Sequence, residues 1–176
     1  MKKDVMILTG AGQIGMAIAR RMGYGKKIVV GDKKPENAGA IAGIMNGAGF
    51  DAVPVETDIS SRDSLNLIAE ARKYGEITML VNSAGVSPSQ APVEAILKVD
   101  LYGTAVLLEE IGKVIGHGGV GVTISIQSGH RMPALAPEED EQFATTPAEK
   151  LLSLDILRPG HIRDTLHAYQ MAKRCN

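Results

Sequence analysis

Short apolar runs alternate with longer stretches of helical spacing along this chain, and that alternation is the tightest constraint on its fold. Val5–Leu8, Lys27–Val30, Ala52–Thr57, Ile77–Val81 and Val120–Ile126 read as strands. Their near-continuous apolar character suits strands covered on both faces, which puts helices on either side of a parallel sheet. The expected fold is α/β, a doubly wound parallel sheet of five strands. With 176 residues, a single domain over 1–176 can bury one sizeable core.

The stretches between strands differ in quality. Gly39, Gly43 and Gly47 spot the second helix, so packing rather than propensity has to hold it. Ser60 and Asp63 form a capping box for the third, with Leu65, Ile68, Ala69 and Arg72 following at helical spacing. A long helix begins near Pro92, a residue suited to a first turn. Its stripe is Leu97, Leu101, Ala105, Leu108, Ile111 and Ile115, which is expected to cover the sheet. Residues 129–168 break the rhythm with Pro133, Pro137, Pro147, Pro159 and the acidic run 138–141. This is read as an insertion, functional or mobile, with the acidic run on a solvated surface.

Composition excludes several functions. A formal charge of −1 gives no electrostatic case for nucleic acid or an anionic membrane. The single cysteine, Cys175, cannot form an internal disulfide, and the first apolar run is too short for a signal core or a membrane span. The cytoplasm is the expected compartment. His117, His130, His161 and His167 lack metal-ligand spacing, so no metal is expected. His130 lies near Ser128, but there is no G-x-S-x-G elbow for a nucleophilic serine.

The first strand leads into Gly10-Ala11-Gly12-Gln13-Ile14-Gly15, which matches the dinucleotide fingerprint of Rossmann-type folds. The first glycine permits the tight turn, the second lets a pyrophosphate approach the backbone, and the third lets helix pack on strand. The opening N–H groups of the following helix face the phosphates. Gly10, Gly12, Gln13, Ile14 and Gly15 are therefore candidate cofactor contacts. Asp32 follows Gly12 by 20 residues, at the end of the second strand, where a carboxylate accepts from ribose hydroxyls and repels a 2′-phosphate. NAD is favoured over NADP, with Lys33 and Lys34 weighing the other way.

Taken with Asn82-Ser83-Ala84-Gly85, Ser128, Tyr169 and Lys173, in that order, the turn resembles the short-chain dehydrogenase/reductase family. The resemblance implies strand order 3-2-1-4-5 and a homodimer or homotetramer. It implies cofactor contacts at Asp58, Ile59, Asn82, Ala84, Gly85, Tyr169 and Lys173, and catalytic roles for Ser128, Tyr169 and Lys173. Ser128 would hold the substrate oxygen, Tyr169 would exchange its proton, and Lys173 would hold the nicotinamide ribose. The substrate class it implies stays open: a secondary alcohol or ketone as a small-molecule substrate, with a steroid the lesser alternative. Asp100, where the family commonly has Asn, is a fourth catalytic candidate whose charge would alter the proton relay. The turn departs from the family in having one residue, Ala11, between its first two glycines. The 41-residue interval from Ser128 to Tyr169 resembles, in placement, the helical insertion of bacterial 3α-hydroxysteroid dehydrogenase/carbonyl reductases.

On a helix, Tyr169 and Lys173 share one face. Free tyrosine has a pKa near ~10, and an ammonium within about 4–6 Å is expected to lower it by roughly 1–3 units. The chain stops three residues after Lys173. That suggests a form lacking the C-terminal third of a longer enzyme, with a fraying last turn and an exposed apolar edge at Val120–Ile126. A nucleotide-binding fragment or regulatory module without turnover is the alternative, and an epimerase or dehydratase on the same scaffold a third reading.

Overall fold

The computed structural model describes residues 3–176. Among them, β1 (Lys3–Thr9), β2 (Lys27–Asp32), β3 (Asp51–Glu56), β4 (Gly75–Asn82) and β5 (Val120–Thr123) form one parallel sheet. Its order is β3-β2-β1-β4-β5, as expected. β1 lies at its centre, and Val5, Met6, Ile7 and Leu8 are fully buried. Each such side chain contributes about 1.5–3 kcal/mol by leaving water. The edge strand β3 tolerates Pro54, which has no N–H to give a further neighbour.

The chain packs as two compact units, each assembled from separated segments. The first takes residues up to Ala84 together with Glu110–Ile124; the second takes Gly85–Glu109 and Ser125–Asn176. In the first, α1 (Gln13–Met22) and α2 (Pro35–Gly47) cover one sheet face, where Ala19, Ala38, Ile41, Ala42 and Met45 meet Met6, Leu8, Ile28 and Val30. α3 (Asn66–Tyr74) packs against β1, β2 and β4. The glycines of α2 point outward: a Cβ added at Gly39, Gly43 or Gly47 would meet nothing within 4 Å.

The capping box is not formed. The Ser60 hydroxyl donates to Asp58 at 2.6 Å, and a 3-10 turn at Arg62–Ser64 precedes α3. The helix therefore starts at Asn66 and buries Leu67, Ile68 and Ala71, leaving Ala69 and Arg72 exposed. β5 is also shorter than expected. The Ile124 N–H still reaches the Asn82 carbonyl at 2.8 Å, but Gln127–His130 then turns as a 3-10 helix. Val120 and Val122 are about half exposed on this edge.

The long helix is present over 93–112, but its middle is not α. After α4 (Val93–Ile96), Leu97–Gly103 forms a π segment, and α5 (Thr104–Gly112) resumes the ordinary pitch. A π turn holds more residues than an α turn, so every side chain beyond it is rotated from the regular 3.6 pattern. Leu97, Leu101 and Ile111 are buried as expected, but Leu108 is 42% exposed, while Val106 and Leu107 are at 0%.

The second unit has its own core: Ile96, Leu97, Leu101, Met132, Leu157, Ile162, Ala168, Met171 and Ala172. The inserted stretch is largely helical, with α6 (Pro137–Thr145), α7 (Ala148–Leu151) and then α8 (Thr165–Cys175). Asp164 caps α8, accepting the His167 N–H at 2.7 Å. The acidic run is only partly solvent-facing in role. Glu139 accepts the Ala136 N–H at 2.8 Å, and Asp140 takes the Arg174 guanidinium at 2.6 and 3.1 Å, tying α6 to α8. Among the described residues, no helix is long and apolar enough to cross a membrane.

The π segment makes a test. Leu107→Ala is expected to cost about 2–5 kcal/mol of unfolding free energy, and Leu108→Ala no more than about 0.5 kcal/mol. Urea denaturation of the two variants checks this, and equal losses would contradict the rotated register.

Candidate functional site

β1 and β4 are neighbours in the sheet although the chain order reverses between them, and at such a switch point the loops leaving parallel strands diverge. Gly10 stands there with φ +81 and donates its N–H to the Gly31 carbonyl at 2.8 Å. A Cβ at Gly10 would lie 2.6 Å from the Ala84 nitrogen and 2.7 Å from the Ser83 carbonyl carbon. Only glycine satisfies both demands. Ser83 closes the same contact, its hydroxyl donating to the carbonyls of Thr9 at 2.8 Å and Gly10 at 3.0 Å. Ser83 stands within the Asn82–Gly85 motif, but nothing in that motif's spacing shows its hydroxyl bonding the glycine turn.

Gly12 is the residue before α1, and a Cβ there would project into open space. Gln13 and Ile14 are exposed at the helix opening, whereas Gly15 is buried against Ser83 and Leu8. The opening N–H groups of a helix have no carbonyl one turn earlier to bond. The cradle thus has the features an anion requires: open approach at Gly12, exposed α1 start, and a turn fixed from behind.

Asp32 helps to fix it. Its carboxylate accepts the Ala11 N–H at 2.8 Å and the Lys34 N–H at 2.9 Å. The half-buried group therefore holds the turn, and each oxygen keeps a second lone pair for a further donor. Asp58 accepts the Ser60 hydroxyl and N–H and pairs with Lys33 at 2.9 Å. Burial raises the Asp58 pKa, but the Ser60 and Lys33 contacts outweigh it and leave the carboxyl below its usual range. Ile59 is buried, as is Asn82, whose side-chain oxygen accepts the Thr9 hydroxyl at 2.6 Å. Gly10 through Gly15, Asp32, Asp58, Asn82 and Ala84 all belong to the first unit.

Gly85 belongs to the second, with Asp100, Ser128, Tyr169 and Lys173. Asp100 projects from the π segment and accepts the Val86 N–H at 3.1 Å. Its other oxygen lies 3.0 Å from Lys173 Nζ, with side-chain exposures of 0% for Asp100 and 6% for Lys173. A Cβ at Gly85 would come within 2.5 Å of that oxygen and 3.4 Å of the ammonium, so glycine makes room for the pair. Burial pushes the Asp100 carboxyl up, opposed by the Lys173 charge and hydrogen bond and by the Val86 N–H.

Tyr169 and Lys173 sit on one face of α8, the ammonium 5.8 Å from the ring centroid. Burial, and after it the Asp100 charge, raises the Tyr169 pKa above the ordinary tyrosine value. This is opposite in direction to the lowering expected from Lys173, with burial the larger cause and the Asp100 charge the second. Ser128 lies in the 3-10 turn that packs against α8, half-buried. Gly129 allows that approach, as a Cβ there would stand 2.9 Å from the Arg174 nitrogen, and the Ser125 hydroxyl donates to the Lys173 carbonyl at 2.7 Å.

Residues 4–136 match the family described as short chain dehydrogenase. The chain is 38% identical over 178 residues to a short-chain dehydrogenase/reductase of Alternaria brassicicola, covering all of this chain and 65% of that protein. It is 29% identical over 136 residues to cis-4-hydroxycyclohexanecarboxylate dehydrogenase of Sinomonas cyclohexanicum, covering 70% of this chain and 54% of that one. The chain thus spans less than two-thirds of the length of these relatives. Its fold is like that of a short chain dehydrogenase from Mycobacterium smegmatis, with TM-score 0.70, 21% identity, and 98% of this chain and 66% of that one covered. It is equally like NAD+-bound xylitol dehydrogenase, with TM-score 0.70, 18% identity, and coverages of 98% and 60%.

Gly10→Ala is expected to destabilise the chain by about 1–3 kcal/mol, from the positive φ and the pressed backbone. Gly12→Ala should cost less than about 1 kcal/mol, the range of a helix-start substitution. Thermal or urea unfolding separates the two, and similar losses would show that the Gly10 approach is not the constraint.

Proposed function

The chain belongs to the short-chain dehydrogenase/reductase family, and from that premise we propose that it serves an oxidoreductase interconverting a secondary alcohol and a ketone with NAD. The observation that carries the nucleotide part is the cradle: Gly10 locked against Ser83 and Ala84, Gly12 open, and Asp32 bound to the Ala11 N–H. When bound, the nicotinamide supplies or accepts the hydride. The residues of this chain do the remainder. Gln13 and Ile14 present backbone N–H groups to the phosphates, beside Gly12, whose own N–H is given to the Gly10 carbonyl at 2.8 Å and whose missing side chain leaves the approach open. Asp32 accepts from the adenosine ribose through its remaining lone pairs, and Asp58, Ile59, Asn82 and Ala84 are the further cofactor contacts of the same unit.

A 2′-phosphate would meet the Asp32 charge, and Lys33, one of the two lysines that follow it, is paired with Asp58. Both facts favour NAD over NADP. In ketone reduction the carbonyl carbon takes a hydride and the carbonyl oxygen takes the Tyr169 proton; alcohol oxidation runs these transfers backwards. Ser128 donates to the same oxygen and stabilises its developing charge. Lys173 binds the nicotinamide ribose, and Asp100 sets how much of its charge is available. The name of the Sinomonas relative, a dehydrogenase of a ring-borne secondary alcohol, supports this substrate class.

The test is binding of NADH and NADPH by fluorescence, followed by turnover on cyclic ketones and secondary alcohols. NADH is expected to bind at least about tenfold more tightly, a preference of roughly 1.4 kcal/mol. Tyr169→Phe should leave binding intact while lowering turnover by at least about 10². Binding without turnover in the parent chain supports a nucleotide-binding module instead. No binding of either cofactor removes both readings.

A further inference from the structure

The contact between Asp100 and Lys173 is unusual in its burial and in what it does to its neighbour. Two opposite charges lie 3.0 Å apart with almost no solvent access, in the unit that holds the apolar cluster of Ile96, Leu101 and Met171. A buried pair of this kind adds little net stability, because desolvating both ions offsets much of their attraction. The fold nevertheless builds around it. The π segment carries Asp100, the Val86 N–H fixes one of its oxygens, and Gly85 leaves space where any side chain would collide.

The remaining charges around α8 do not substitute for this pair. Glu94 on α4, Lys98 in the π segment and His130 in the 3-10 turn are exposed, and Arg174 on α8 itself is taken by Asp140. His167, at the start of α8, accepts from the Arg163 N–H. Tyr169 thus faces two buried charges of opposite sign, Lys173 with its ammonium 5.8 Å from the ring centroid and Asp100 beyond it.

We propose that Asp100 is a positioning residue that holds the Lys173 ammonium in a buried ion pair and withholds its charge from the Tyr169 phenol, biasing Tyr169 to act as a proton donor rather than an acceptor. In the function proposed above, the protonated phenol gives its proton to the substrate oxygen as a nicotinamide hydride goes to the carbon, and solvent returns the proton to the tyrosinate; alcohol oxidation, which needs the tyrosinate, then begins at higher pH. This consequence rests on the function proposed above; the electrostatic claim does not. Burial, with Asp100 as the second cause, raises the Tyr169 pKa, which agrees with the geometry.

The test is a spectrophotometric titration of tyrosinate, wild type minus Tyr169→Phe, within the pH range where far-UV circular dichroism stays constant. Wild-type Tyr169 is expected to remain protonated beyond the midpoint of free tyrosine. Asp100→Asn, nearly isosteric and able to accept from Val86, should move that midpoint down by roughly 1 unit or more, the lower end of what one charge at close range produces. A folded Asp100→Asn variant with an unmoved midpoint overturns the proposal. If that variant does not fold, the wild-type titration still decides, because ionisation below the free-tyrosine midpoint contradicts a withheld charge. In the active enzyme, Asp100→Asn should shift the acidic limb of the alcohol-oxidation profile to lower pH by the same amount; a merely structural role would lower the rate without moving the limb. The titration needs neither cofactor nor turnover, so a failure to bind NADH sinks the proposed function and leaves this result readable.

Discussion

The turn after β1 rests directly on the backbone that follows β4, and the proposed nucleotide site depends on that contact. Parallel neighbours bring the two strand ends side by side, but only a residue without Cβ lets Gly10 settle against Ser83 and Ala84. The Ser83 hydroxyl then donates to the Thr9 and Gly10 carbonyls at the contact, and Asp32 takes the Ala11 N–H. α1 starts from this fixed point, so the direction of its first N–H groups is decided before any ligand arrives. Preorganisation of this kind spares a bound anion the cost of ordering the loop.

The second unit adds a buried ion pair to the close backbone packing at Gly129. Removing one member of the Asp100–Lys173 pair would leave the other charged and buried, which typically costs about 3–5 kcal/mol. The pair is therefore stable against loss even though it contributes little on balance. The Arg174–Asp140 pair is of another kind. It is partly exposed and belongs to the surface that joins α6 to α8, where an ion pair is worth about 0–1 kcal/mol.

The sheet was the most legible part of the sequence, because a strand buried on both faces writes itself as an unbroken apolar run. Val5–Leu8 and Ile77–Val81 lie inside observed strands, and the strand order follows the family resemblance. What could not be read were features without a period. A π segment changes the residues per turn without any composition of its own, so Leu108 looked buried and Val106 did not. Ser60 was a plausible cap, yet Asp58 lay two residues away and took its hydroxyl first. For the candidate site, the residue types were readable but their charge partners were not. Asp32 proved to be a brace for the glycine turn, and Lys173 proved to face an acid from 73 positions earlier in the chain. Sequence spacing within one helix says nothing about such a partner.

The outward glycine row of α2 carries a further consequence. Positions 39, 43 and 47 face outward, with no atom near enough to resist a methyl group. Each leaves the unfolded chain freer by an amount worth about 0.5–1 kcal/mol relative to alanine. α2 is thus anchored along one seam by Ala38, Ile41, Ala42 and Met45 and carries replaceable glycines on the other. That makes it an inexpensive place to add heat resistance away from the candidate site.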